Sequence, residues 1–148
     1  MHKYQLEEVG IRLVKENTFY SENPLSTPEN AVNRMKEVLA EMDREVMVVL
    51  NLTTKCKILN YSKIAIGSIN QTIVSAREVF KTAILSNASA LILMHNHPSG
   101  DTTPSSEDIA ITRRMVIAGE LLGIEVLDHI IIGAYTGEYL SLMKENMM

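Results

Sequence analysis

The stretch Leu91–Ile111, LILMHNHPSGDTTPSSEDIAI, decides how this chain is read. It opens on a short apolar run that, with Ala90 before it, reads as a strand buried on both faces. The run stops at His95 and His97, passes a turn shaped by Pro98, Ser99, Gly100 and Pro104, and enters a helical pattern at about Ser105. Proline fixes φ and glycine permits positive φ, which suits a sharp loop. Ser105-x-x-Asp108 has the pattern of a capping box. Gly123, just after Leu122, is a left-handed stop at the far end of the same helix.

Residues two apart on a strand point to one face, roughly 6.5–7 Å apart along the chain. His95 and His97 can therefore converge on one metal ion, and zinc takes nitrogen and oxygen ligands at about 2.0–2.2 Å. A helix folded back over the strand end would add the Asp108 carboxylate. Three protein ligands leave one tetrahedral position for water, the pattern of a catalytic rather than a closed structural site. The plainer reading makes the histidines surface residues and Ser105 and Asp108 a helix cap. A cap explains Ser105 and Asp108 but not two same-face histidines at the mouth of a buried strand. The two readings are compatible, because a capped helix holds Asp108 still.

Working outward, strands and helices alternate. Thr27 and Pro28 read as the N-cap and first residue of a helix whose apolar stripe is Ala31, Val32, Met35, Val38, Leu39 and Met42. Glu45–Leu52 reads as a second doubly buried strand, and Thr53–Lys55 as the turn of a hairpin into CKILNYSKIAIG. Ser75 is a cap for a helix carrying Val79, Phe80, Ala83 and Ile84. IEVLDHIIIG, from Ile124, is a further strand. Val9, Ile11 and Leu13 alternate weakly like an edge strand, and Asn23, Pro24 and Ser26 read as a loop. The alternation argues for one α/β layer structure.

Composition narrows the function. At 46% hydrophobic, 148 residues bury a sizeable core. No apolar run has the length of a membrane span, and MHKYQLEEVG lacks the basic-then-apolar order of a signal peptide. A single cysteine, Cys56, expected to be buried and inert, fits a reducing cytoplasm and excludes a thiolate-built zinc site. A net charge of −4 without a basic stripe disfavours nucleic acid as a partner but leaves a local patch open. A zinc nucleobase deaminase needs H-x-E and a downstream P-C-x-x-C, which a lone Cys56 upstream of the histidines cannot supply.

His95, His97, Ser105 and Asp108 match H-x-H, seven residues, S, two residues, D, and so resemble the JAB/MPN (JAMM) metalloprotease signature. HNHPSGDTTPS, REVF at Arg77–Phe80, DHIIIG at Asp128–Gly133 and YLSLMKE at Tyr139–Glu145 are similar to its bacterial RadC-type branch. The likeness covers roughly residues 30 to 148. RadC-type proteins commonly carry a helix-hairpin-helix region, which residues 1–26 do not resemble. The resemblance implies a three-layer α-β-α domain over residues 27–148 with a mixed central sheet (cytidine-deaminase-like), residues 1–26 being an N-terminal extension or edge strand. It further implies Zn2+ held by His95, His97 and Asp108, with Ser105 hydrogen-bonding the reacting oxygen and a glutamate as general base. Glu45, just before a buried strand, is the favoured glutamate, and Glu78 in REVF is the alternative. The expected activity is zinc-dependent hydrolysis of an amide, peptide or isopeptide bond in an unknown peptide or protein substrate. A non-catalytic scaffold and a DNA-repair accessory factor are the competing expectations, and pairing of copies into a homo-oligomer is left open. Asp128 and His129 are read as partnered structural residues, with support of a metal ligand from behind as the alternative, and Asn96 as facing away from the metal and bracing the turn.

Overall fold

The computed structural model describes residues 6–16, 18, 27–69 and 74–148. Among the described residues, three helices start where a side chain caps them. In α1, Pro28–Ala40, the Thr27 hydroxyl accepts from Asn30 N at 3.3 Å, and Pro28 occupies a position whose missing N–H would have had no partner. In α2, Ala76–Leu85, Ser75 accepts from Glu78 N. α3, Ser106–Leu122, begins at Ser105 with both halves of a capping box and ends at Gly123, whose φ of 69° is the left-handed stop.

Among the described residues five strands form one sheet: β1 Val46–Leu52, β2 Ile58–Ile66, β3 Ala90–His97, β4 Glu125–Gly133 and β5 Tyr139–Ser141, in the order β2-β1-β3-β4-β5. Only β3 and β4 run parallel, joined through α3, and the other pairs are antiparallel. The sheet is therefore mixed. Every residue of β1 is buried, as expected of a strand covered on both faces. Met47, Val49, Leu91 and Leu93 pack in one core with Val79, Phe80, Ile111 and Met115 of α2 and α3. Val48, Leu50, Ile92 and Met94 pack in a second with Ala31, Met35 and Leu39 of α1. This is the three-layer α-β-α architecture that the resemblance implied. Fully burying side chains such as Met35, Leu39 or Met115 stabilises by about 1.5–3 kcal/mol each.

Some local expectations fail. Residues 6–16 form no strand; Val9 and Ile11 are 82% and 74% exposed, and the sheet ends on β2 and β5. Among the described residues no strand runs beside residues 9–14 to pair with their backbone. Ile84 is exposed because α2 turns Val79, Phe80 and Ala83 to the core instead. Cys56 lies exposed in the β1–β2 turn with φ of 55°. Asn23, Pro24 and Ser26 lie outside the described residues. Among the described residues no helix is long and apolar enough to cross a membrane.

Candidate metal centre

Strand parity sets up the site. His95 and His97 leave β3 on the face covered by α3, whereas Asn96 between them points toward the α1 side. The turn after His97 returns the chain so that the first turn of α3 lies over the strand end. Ser105 N donates to Asp108 Oδ2 at 2.8 Å and Asp108 N donates to Ser105 Oγ at 3.1 Å. The cap thus holds the Asp108 carboxylate against the two imidazoles. His95 Nε2 is 3.0 Å from His97 Nε2 and 3.2 Å from Asp108 Oδ1; His97 Nε2 is 3.3 Å from Asp108 Oδ2. His95 and Asp108 are buried and His97 is partly open to solvent.

These three residues could hold a metal ion. Ligand atoms about 2.0–2.1 Å from a tetrahedral ion stand about 3.3 Å from one another, close to the separations here. The His97 Nδ1–H donates to the Asp101 carbonyl at 2.7 Å, so in the neutral ring Nε2 is the nitrogen left with a lone pair. Burial pushes the Asp108 carboxyl up, but hydrogen bonds to His95 and His97, the His95 charge and Ser105 N together outweigh it and hold the group well below the usual carboxylate range. His97 is raised, first by its hydrogen bond to Asp108 against the opposing effect of burial, with the Asp101 carbonyl and the Asp108 and Glu45 charges adding. The centre therefore favours positive charge, carried by a proton or by a metal ion.

Glu45 immediately precedes β1 at the end of the sheet that carries His97, since Met47 pairs with His95. Its Oε2 accepts from Ile69 N at 2.7 Å, and its charge reaches His97. Glu78 lies instead in the first turn of α2, partly exposed and paired with Lys81 at 2.8 Å, which lowers its pKa. Ser105 is exposed at the helix start. Asn96 does not brace its own turn. Its Oδ1 accepts from Val46 N at 2.7 Å and its Nδ2 donates to Arg44 O at 2.9 Å, so it grips the chain on both sides of Glu45. Asp128 accepts from Ser141 Oγ, His129 N and Met143 N, and fastens β5 and Met143 beyond it to β4.

His129 is fully buried, and its Nε2 lies 2.8 Å from His95 Nδ1. Burial, and then the neighbouring His95, hold its pKa well below the ordinary imidazole value. Its Nδ1 lies 2.6 Å from Thr112 Oγ1, a residue the sequence reading passed over. The signal was there: Thr112 stands four residues after Asp108, one turn along the same buried stripe of α3.

A family model described as RadC-like JAB domain matches residues 25–147. Proteins named "UPF0758 protein" are similar: that of Desulfitobacterium hafniense is 47% identical over 124 residues, 84% of this chain and 54% of its own length. The one from Alkaliphilus metalliredigens is 48% identical over 124 residues, 84% of this chain and 53% of its own, and the one from Moorella thermoacetica 44% over 128 residues, 86% and 55%. The chain spans about half the length of the curated relatives it matches.

Proposed function

The chain belongs to the RadC-like JAB family, and from that premise we propose that it is a zinc-dependent hydrolase cleaving an amide, peptide or isopeptide bond in a peptide or protein substrate. The observation that carries this reading is the convergence of His95 Nε2, His97 Nε2 and an Asp108 oxygen, two of them on buried side chains, at the spacing of ligands around one ion. Two imidazoles and one carboxylate suit zinc, and three protein ligands leave a position open. Zinc bound there supplies Lewis acidity and a water acidic enough to react near neutral pH.

The chain's own groups supply the rest. The Glu45 carboxylate accepts the proton of the attacking water, whose oxygen bonds to the scissile carbonyl carbon. As the carbon–nitrogen bond breaks, Glu45 returns that proton to the leaving amine nitrogen. The Ser105 hydroxyl, which accepts from Asp108 N and keeps its own hydrogen to give, donates to the carbonyl oxygen as negative charge develops, an effect commonly worth about 3 kcal/mol. Ile69 N holds Glu45 Oε2 and Asn96 holds the backbone around it, so the base is oriented before substrate arrives.

The test is incubation of the zinc-loaded protein with a panel of peptides and isopeptide-linked conjugates, with products read by mass spectrometry. Cleavage is expected that chelation abolishes and zinc restores, and that Glu45→Gln loses while retaining stoichiometric zinc. Normal turnover by Glu45→Gln would remove Glu45 from the role of base. No stoichiometric zinc in the wild type would favour a non-catalytic scaffold.

A further inference from the structure

Four groups around the centre form a closed circuit whose polarity can be worked out from one fixed point. The carbonyl oxygen of Asp108 only accepts, and Thr112 Oγ1 lies 2.7 Å from it, so the single Thr112 hydrogen is committed to that bond. Thr112 Oγ1 must then accept at its 2.6 Å contact, which makes His129 Nδ1 the protonated nitrogen. A buried, neutral His129 has its lone pair on Nε2, and the 2.8 Å contact there requires His95 to donate from Nδ1. The neutral His95 ring is left with its lone pair on Nε2, the atom that faces His97 and Asp108.

We infer that His129 and Thr112 are positioning residues that lock His95 in the one tautomer able to ligate a metal, the direction being set by the Asp108 backbone carbonyl. The circuit also ties the two buried ligands to each other, because Asp108 offers its side chain to the centre and its carbonyl to Thr112. His97 needs no such relay: the Asp101 carbonyl fixes it directly. A partner on the far nitrogen of a metal-bound histidine both orients the ring and raises its basicity, and its loss commonly costs 10–100-fold in affinity. This inference rests on His95, His97 and Asp108 being metal ligands.

The test uses Thr112→Val, which keeps the shape and removes the hydroxyl, and Thr112→Ser, which restores it. Zinc affinity is measured by competition with a chromophoric chelator, and the tautomer of His95 is read by 15N imidazole NMR on the metal-free protein. Wild type should show His95 protonated at Nδ1. Thr112→Val should bind zinc at least about tenfold more weakly, with His95 no longer held in that tautomer, and Thr112→Ser should recover both. A merely structural threonine would change stability without moving the nitrogen signals. If Thr112→Val keeps wild-type affinity and the same tautomer while wild type binds zinc, the relay is wrong and the metal site stands. If the wild type binds no zinc at all, the underlying site reading fails, and this inference with it.

Discussion

Five side chains carry the proposed chemistry, and they are legible in the sequence to different degrees. His95 and His97 could be paired from sequence because strand periodicity puts them on one face whatever the rest of the fold does. Asp108 needed the added assumption that the next helix folds back. The choice between Glu45 and Glu78 depended on strand order, which a single chain does not spell out. β1 lies directly beside β3, and α2 carries Glu78 into an exposed pair with Lys81. Glu78→Gln should accordingly leave hydrolysis and zinc binding at wild-type levels, in kinetic and chelator assays run beside Glu45→Gln. A loss confined to Glu78→Gln would reverse the assignment. The sequence favours a partnered structural role for His129 over support of a ligand because nothing local reveals its partner. Its contact with His95 follows from the parallel register in which Leu93 pairs with His129.

At the scale of the element, the N-terminus of α3 does two things with one motif. Ser105 and Asp108 cap each other, and the same carboxylate faces the histidines. Ser105→Ala removes the acceptor for Asp108 N and should cost about 0.5–2 kcal/mol, read as a lower midpoint in thermal or denaturant unfolding of the metal-free protein. An unchanged midpoint would mean that the box contributes nothing. The turn before α3 depends on close backbone approach. A Cβ on Gly133 would meet the Gly100 carbonyl oxygen at 2.4 Å, under the loop that comes after His97. Gly133→Ala should destabilise by about 1–3 kcal/mol and weaken zinc binding as the His97 loop shifts, measured by unfolding and chelator competition. Wild-type values of both would show that the loop can give way freely. The caps at Thr27, Ser75 and Ser105 and the stop at Gly123 were readable because their chemistry is local. β5, three residues long, was not read as a strand, since Asp128 holds it through Ser141 rather than through any hydrophobic pattern of its own.

In the whole molecule, the sheet separates two cores, and the centre belongs to the α2/α3 side. α1 packs on the opposite face and should affect stability without touching ligation. Leu39→Ala should destabilise by about 2–5 kcal/mol. Zinc at a hundred times its dissociation constant should still add about 2.7 kcal/mol, as in the wild type, because distant sites add independently. Unfolding with and without zinc checks this, and a markedly smaller zinc increment in Leu39→Ala would mean that the two faces are coupled. Alternating doubly buried strands and amphipathic helices point to an α/β layer structure, and the three-layer order follows from the family resemblance. Residues 6–16 misled because alternation alone does not recruit a partner strand.

The most direct measurement is anomalous scattering at the zinc edge from crystals grown with zinc. One peak is expected about 2.0–2.2 Å from Nε2 of His95, Nε2 of His97 and a carboxylate oxygen of Asp108, with a fourth position taken by solvent. Density bound elsewhere, or these three side chains turned apart with no ion between them, would contradict the account.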